Sequence, residues 1–228
     1  MNQESRQKVI ENVPAELKDL PIWVGFKFIP QEGQKLRKEP FNAATGGKAC
    51  SNNPKTWRSF DEVIGRAESM CFNAIGIGLS EPYVGVDLDH SVVDGDIQPW
   101  AKKIISFIDS YTEFSPSGTG VHVLCKGSLP KGRKFSALNV EMYQKTRFFT
   151  VTGHIVPECR SSIEDRSEQV TKLFEECEQK DNEKKQSKSI LERVLKSQDA
   201  EKFQRLYSGQ WQSDYPSQSE ADLALGNK

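Results

Sequence analysis

Tyr83-Val84-Gly85-Val86-Asp87-Leu88-Asp89-His90 alternates with a period of two, the signature of a strand with one face in a core. Val84, Val86 and Leu88 then share the buried side, while Asp87 and Asp89 both point the other way. Two neighbouring carboxylates repel, and a divalent cation held between them relieves that repulsion. The same pair also suits an exposed strand end with two solvated acids. A lone D-x-D does not choose between the two.

Upstream, Ala74 to Ser80 (AIGIGLS) reads as a second strand, with Glu81-Pro82 as the turn between them. Farther back, Ile22 to Ile29 (IWVGFKFI) is apolar and β-prone, and Pro30 to Asn53 reads as a polar loop. Thr56 to Met70 carries Trp57, Phe60, Val63, Ile64, Ala67 and Met70 at helical spacing, opened by a Ser59/Glu62 capping box. Downstream, Ile97 to Tyr111 places Trp100, Ile104, Ile108 and Tyr111 on one helical face. VHVLCKG (121–127), NVEMYQ (139–144) and RFFTVTGH (147–154) read as short strands. A helix from Ile163 to Glu178 then turns Val170, Leu173, Phe174 and Cys177 inward.

This mixture predicts an α/β or α+β domain over residues 1–180. Glu178 to Lys188 (EQKDNEKKQSK) has hardly an apolar side chain and reads as a linker or an exposed helix end. ILERVL (190–195) and AEKFQRLY (200–207) read as two short helices, and Ser219 to Leu225 as a further helix start. Residues 181–228 are thus expected to be a linker and the beginning of a helical region.

With 31 basic and 32 acidic side chains, the net charge of −1 argues against a chain that grips nucleic acid with its whole surface. The cations do cluster locally, as Lys35, Arg37 and Lys38, as Lys131, Arg133 and Lys134, and as Lys145 and Arg147. A functional reading needs these clusters to converge in space. The five cysteines form no C-x-x-C pair, so neither a zinc site nor a disulfide framework is expected. No apolar run reaches the ~20 residues of a membrane helix, and the first residues lack an apolar signal region, which predicts a cytoplasmic protein.

Two further stretches carry chemistry. Ser115, Ser117, Gly118, Thr119 and Gly120 make a small-residue turn whose amides and hydroxyls suit phosphate oxygens, and His122 follows on the face opposite Val121 and Val123. The turn equally suits a chain that merely needs glycine there. Glu141 alternates against Val140 and Met142, so another strand presents an acid. Arg147 and His154 flank Phe148 to Thr152.

Taken in chain order, these stretches read D-x-D, S-G-x-G-x-H, a strand acid, then R-F-F-T-x-T-G. That order resembles the archaeo-eukaryotic primase superfamily, most closely the primase–polymerases of phages and plasmids, over about Ile22 to Cys177. Lys38 to Asn42 (KEPFN) resembles the group's basic loop, and Thr56 to Glu62 the helix after it. Ser219 to Leu225 resembles the segment that joins such cores to helical and helicase regions. Glu141 stands where many members have aspartate.

The resemblance implies a two-part core, an α/β unit fused to an RRM-like unit with the site between them. It implies that Asp87, Asp89 and Glu141 coordinate two Mg²⁺ or Mn²⁺ ions. His122, Ser117 and the amides around Gly118 and Gly120 would hold the nucleoside triphosphate, with Lys38 and Arg147 on phosphate or template. The implied partners are a single-stranded or primed DNA template and a helicase region of a longer replication protein, in a phage-infected or plasmid-bearing cell. Two rival readings are a D-x-D phosphohydrolase and an RRM-like binding module that stacks bases on Phe148 and Phe149.

Overall fold

The computed structural model describes residues 1–31, 33–195, 200–210, 212 and 216–221. The chain begins with α1 (Gln3–Asn12) and α2 (Ala15–Lys18), then β1 (Trp23–Gln31), β2 (Gln34–Phe41), α3 (Phe60–Gly65), β3 (Ala74–Gly78) and β4 (Tyr83–Leu88). A two-strand ribbon, β5 (Val92–Val93) and β6 (Asp96–Ile97), leads into α4 (Pro99–Ile108). There follow β7 (Tyr111–Phe114), β8 (Val121–Lys126), β9 (Arg133–Phe135), β10 (Val140–Tyr143) and β11 (Phe148–Val151), and finally α5 (Ser167–Leu195) and α6 (Ala200–Tyr207).

Four strands form one sheet in the order β11-β3-β1-β2, and five form another in the order β7-β8-β4-β10-β9. Every named strand pairing is antiparallel, so the class is α+β. Contacts divide the chain into two compact units, Met1–Cys177 and Glu178–Lys228.

The first unit has two apolar clusters. One joins α1, α2 and α3 to the four-stranded sheet through Val9, Leu17, Trp23, Val63 and Ile77, and takes in Tyr83, Tyr111 and Leu124 from the five-stranded sheet. The other lies on the opposite face of the five-stranded sheet, where Val84, Val86, Leu88, Val121 and Val123 meet Ala101, Ile105, Val170 and Phe174. The Val84/Val86/Leu88 alternation is therefore observed as read, with all three side chains fully buried.

Several expectations are corrected. The stretch from Pro30 to Asn53 is not a loop throughout, because residues 34–41 form β2, the edge strand of its sheet. An edge strand needs few apolar side chains and tolerates charge and proline, so its composition resembles that of a loop. The capping box at Ser59 and Glu62 is present, but the α-helix it opens ends at Gly65 and continues as turns. Tyr111 belongs to β7 rather than to a helix face. Asp109 adopts a left-handed conformation, stops α4 and lets the chain turn back into the sheet. Ala101, Ile105 and Ile108 form the buried stripe of α4, with Trp100 and Ile104 partly buried beside it. AIGIGLS and YVGVDLDH are strands joined by a turn at Glu81-Pro82, as read, and the chain changes sheet there.

The second unit begins inside α5. The stretch read as a linker or an exposed helix end is helical, and the helix runs on through 190–195. Side-chain pairs four residues apart, Gln179 with Glu183 at 2.9 Å and Asp181 with Lys185 at 2.6 Å, support it in place of an apolar stripe. A helical turn covers 218–221, while Asp222 to Leu225 of the expected helix start fall outside the described residues. No helix among the described residues is long and apolar enough to cross a membrane.

Candidate active site

Strand register places five polar side chains on one rung across the five-stranded sheet. Glu113 of β7 pairs with His122 of β8, His122 with Asp87 of β4, Asp87 with Glu141 of β10, and Glu141 with Lys134 of β9. Paired residues of neighbouring strands point to the same face. The row therefore runs Glu–His–Asp–Glu–Lys at steps of about 4.8 Å, on the face opposite the Val84/Val86/Leu88 core. Asp87, His122 and Glu141 line a cleft of about 420 Å³ with Lys38, Tyr143, Arg147 and Thr150. At least one cation from each basic cluster thus stands near the acids: Lys134 of β9 and Arg147, on the approach to β11, pair with Glu141, and Lys38 of β2 lines the cleft.

His122 is nearly buried, and its Nδ1 donates to the Thr150 carbonyl oxygen at 3.0 Å. That bond turns Nε2 to Asp87 Oδ1, 3.8 Å away. Phe149 packs against the imidazole with ring centroids 4.5 Å apart. Behind the ring lies Glu113, fully buried, with Oε1 3.6 Å from Nδ1. Glu113 accepts from the Tyr111 hydroxyl at 2.7 Å and from the amides of Thr152 and Gly153 at 2.9 Å each. These bonds satisfy a buried carboxyl group and tie the T-x-T-G turn to the floor of the cleft. Sequence reasoning missed Glu113. Its signal was there, since Tyr111 and Glu113 alternate onto the same face as His122 once 111–114 is read as a strand.

The acids differ in their surroundings. Burial raises the Asp87 carboxyl above the ordinary aspartate value; His122 and Lys38 oppose that shift, while Asp89 and Glu141 add to it. Burial pushes Glu141 the same way, but the Lys134 ammonium, the Tyr143 hydroxyl and the Arg147 guanidinium outweigh it and hold Glu141 low. Arg147 reaches Glu141 Oε2 at 3.2 Å and stacks on the Tyr143 ring at 4.5 Å, and Tyr143 donates to the same oxygen at 3.0 Å. Lys134 donates to Oε1 and lies 3.7 Å from Asp89 Oδ2. Lys38 is exposed by area, yet partial removal of its ammonium from water pulls its pKa below the ordinary lysine value, against Asp87 and Asp89.

The structure does not bring every expected residue into the cleft. Asp89 sits beyond the end of β4, outside the lining. Ser117, Gly118 and Gly120 also lie outside it, in the turn between β7 and β8. Gly118 N–H donates to the Ser115 carbonyl at 2.9 Å, and Gly120 N–H to the Ser115 hydroxyl at 3.2 Å. Ser117 Oγ is 3.0 Å from Ser115 Oγ and 2.9 Å from Thr119 Oγ1. These donors serve the turn itself, and Gly118 supplies the positive φ of 71° that the turn needs. His154 lines a separate hollow with Thr152 and Lys8.

As the side chains stand, no group of three or more His, Cys, Asp or Glu among the described residues converges on one ion position. The donor chemistry nevertheless fits a hard divalent cation. Asp87 and Glu141 come from adjacent strands and Asp89 from just past the end of β4, and a cation, the Lys134 ammonium, already lies between Asp89 and Glu141.

Carboxylates facing cations across a cleft define a site that can hold a divalent metal beside a polyphosphate. No family model matches the chain. The chain is similar to a protein of Nitratiruptor phage NrS-1 named DNA primase-polymerase, at 37% identity over 130 residues. The match covers 52% of this chain and 18% of that much longer protein.

Proposed function

We propose that the unit Met1–Cys177 is the catalytic core of a DNA primase–polymerase, a template-directed nucleotidyltransferase that adds nucleotides from nucleoside triphosphates to a 3′-hydroxyl. The observation that carries this reading is the single rung of Asp87, Glu141 and His122 in a cleft shared with Lys38 and Arg147. The likeness to the phage DNA primase-polymerase supports it. Asp87, Asp89 and Glu141 would hold Mg²⁺ or Mn²⁺, and what such ions supply when bound is a lowered pKa for the attacking hydroxyl and charge neutralisation for the departing pyrophosphate. His122, fixed through Nδ1, presents Nε2 to the triphosphate. Lys38 and Arg147 face the same space and balance phosphate charge, so positioning and electrostatics carry the step without a covalent enzyme intermediate.

The rivals fit less well. An RRM-like module would need Phe148 and Phe149 to stack bases, but Phe149 is buried against His122, and Phe148 packs on Phe26 and Trp57. A phosphohydrolase that carries D-x-D on its first strand does not match a motif on β4, the fourth strand of an antiparallel assembly. The DNA template, the nucleotides and a helicase region elsewhere in the full-length protein are the partners this reading implies.

The test is incorporation of labelled nucleotides on a single-stranded template, with and without an annealed primer, with ribo- and deoxynucleotides and with Mg²⁺ or Mn²⁺. The expected result is synthesis by the unmodified chain. Folded Asp87→Asn, Asp89→Asn and Glu141→Gln variants should lose activity on the order of a hundredfold or more. Full activity in a folded Asp89→Asn protein would refute the metal assignment, and release of phosphate from generic monoesters without any synthesis would favour the hydrolase.

A further inference from the structure

Glu141 is held differently at its two oxygens. Oε2 accepts from Tyr143 and Arg147, and those two groups stack on each other, so this side is an anchor. Among the described residues, Oε1 accepts from Lys134 alone, which rises from β9, a three-residue strand at the outer edge of the sheet; the two cations are equally exposed, so the difference lies in what else holds each oxygen. The same ammonium lies 3.7 Å from Asp89 Oδ2, whereas Arg147 pairs with Glu141 at Oε2. A lysine head group is a compact point charge on a flexible stem, and here it sits between Glu141 of β10 and Asp89 just past β4.

We propose that Lys134 is the resident counter-cation of this acidic rung, and that a divalent metal reaches Glu141 by displacing its ammonium. The inference rests on the metal-binding reading above. The division of labour on Glu141 makes the exchange possible. When Lys134 leaves, Tyr143 and Arg147 still fix the carboxylate through Oε2, and Oε1 turns from one cation to another without repositioning the strand. Removal of Lys134 should therefore cost the metal-free protein stability and make metal binding tighter. A lysine that merely decorates the surface would do neither.

The experiment titrates the metal-free 228-residue chain with Mn²⁺ and reads unbound Mn²⁺ by electron paramagnetic resonance, alongside thermal melts. Lys134→Met should bind Mn²⁺ about two- to fivefold more tightly, the scale of a half-exposed ion pair. It should melt lower than the unmodified chain without metal, and gain more on Mn²⁺ addition. Arg147→Met, which removes an equal charge from the anchored oxygen, should tighten binding less. Unchanged or weaker Mn²⁺ binding in folded Lys134→Met, or equal tightening in Arg147→Met, would overturn the inference. A second measurement does not depend on the variant's stability. In the unmodified chain with ¹³Cε-labelled lysine, the Lys134 resonance, assigned by its loss in Lys134→Arg, should shift as Mg²⁺ saturates. A Lys134 signal that stays in place at saturation would also overturn it. If neither Mn²⁺ nor Mg²⁺ binds the unmodified chain at all, the metal reading itself fails, which is a separate result.

Discussion

Asp87 stands in the middle of the rung, with His122 beside it on one strand and Glu141 on the other. Burial raises its carboxyl, Asp89 and Glu141 add to the rise, and His122 and Lys38 only partly oppose it. A carboxyl with a higher pKa in the folded than in the unfolded state supports the fold while protonated, and that support is lost as pH rises through the folded value. At neutral pH without metal, Asp87 is therefore a burden on the fold. Asp87→Asn should melt roughly 1–4 °C higher than the unmodified chain at pH 7.5 in chelator. The gain should vanish at pH 3.5, below the ordinary aspartate value of 3.8. Melts across that range check it, and a gain that persists at pH 3.5 would contradict the charge explanation. The shared face of Asp87, His122 and Glu141 was legible because each interrupts an apolar alternation, and alternation alone fixes the face. Glu113 was not legible, because helix α4 leads into β7 without a glycine or proline to mark the break. Only the left-handed turn at Asp109 separates the two.

At the scale of elements, β3 is one of the two interior strands of the four-stranded sheet, pairing with β1 on one side and β11 on the other. A side chain at Gly76 would put its Cβ 2.3 Å from the Phe149 carbonyl oxygen and 2.8 Å from Thr150 Cα. Both are backbone atoms and cannot rotate away. Gly76→Ala should cost about 2–3 kcal/mol by urea denaturation. It should also weaken nucleotide binding, because Thr150 supplies the carbonyl that holds His122. An unchanged denaturation midpoint would show that β11 has room to move. The interior strands were readable because their side chains meet a core on at least one face. Strand β2 was not, because an edge strand that carries Lys38, Glu39 and Pro40 has little apolar periodicity to reveal it. The join of 190–195 to the helix before it was hidden for a related reason, since paired polar side chains rather than an apolar stripe support the intervening turns.

At the scale of the whole molecule, the unit Met1–Cys177 contains both apolar clusters and every residue assigned to the cleft. A version that ends after Lys180 keeps Val170, Leu173, Phe174 and Cys177, the α5 side chains that close the second cluster. It should fold and extend an annealed primer at a rate within a few-fold of the longer chain (about threefold, near the ±0.5 kcal/mol scale of changes away from core and site). Primer synthesis without an annealed strand should be weak or absent in both versions, read by gel with labelled nucleotides. Robust unprimed synthesis by the short version would show that the core needs no helical region. Residue patterns alone, apart from the family resemblance, did not show the partition into two sheets, because the chain changes sheet between β3 and β4 and again between β10 and β11, over a few residues that read as ordinary turns. The rung has one more consequence. Its five residues come from five strands, and a slip of one residue at any junction would bring a buried neighbour such as Val86, Val123 or Met142 to the row in place of an acid or the histidine. A chain mispaired in this way would turn an acid or the histidine into the apolar cluster and lose the row, so whatever part of it stayed soluble would be inert. Specific activity per mole of soluble protein is therefore also a gauge of how faithfully the strands have aligned, and preparations refolded by different routes can be ranked by it.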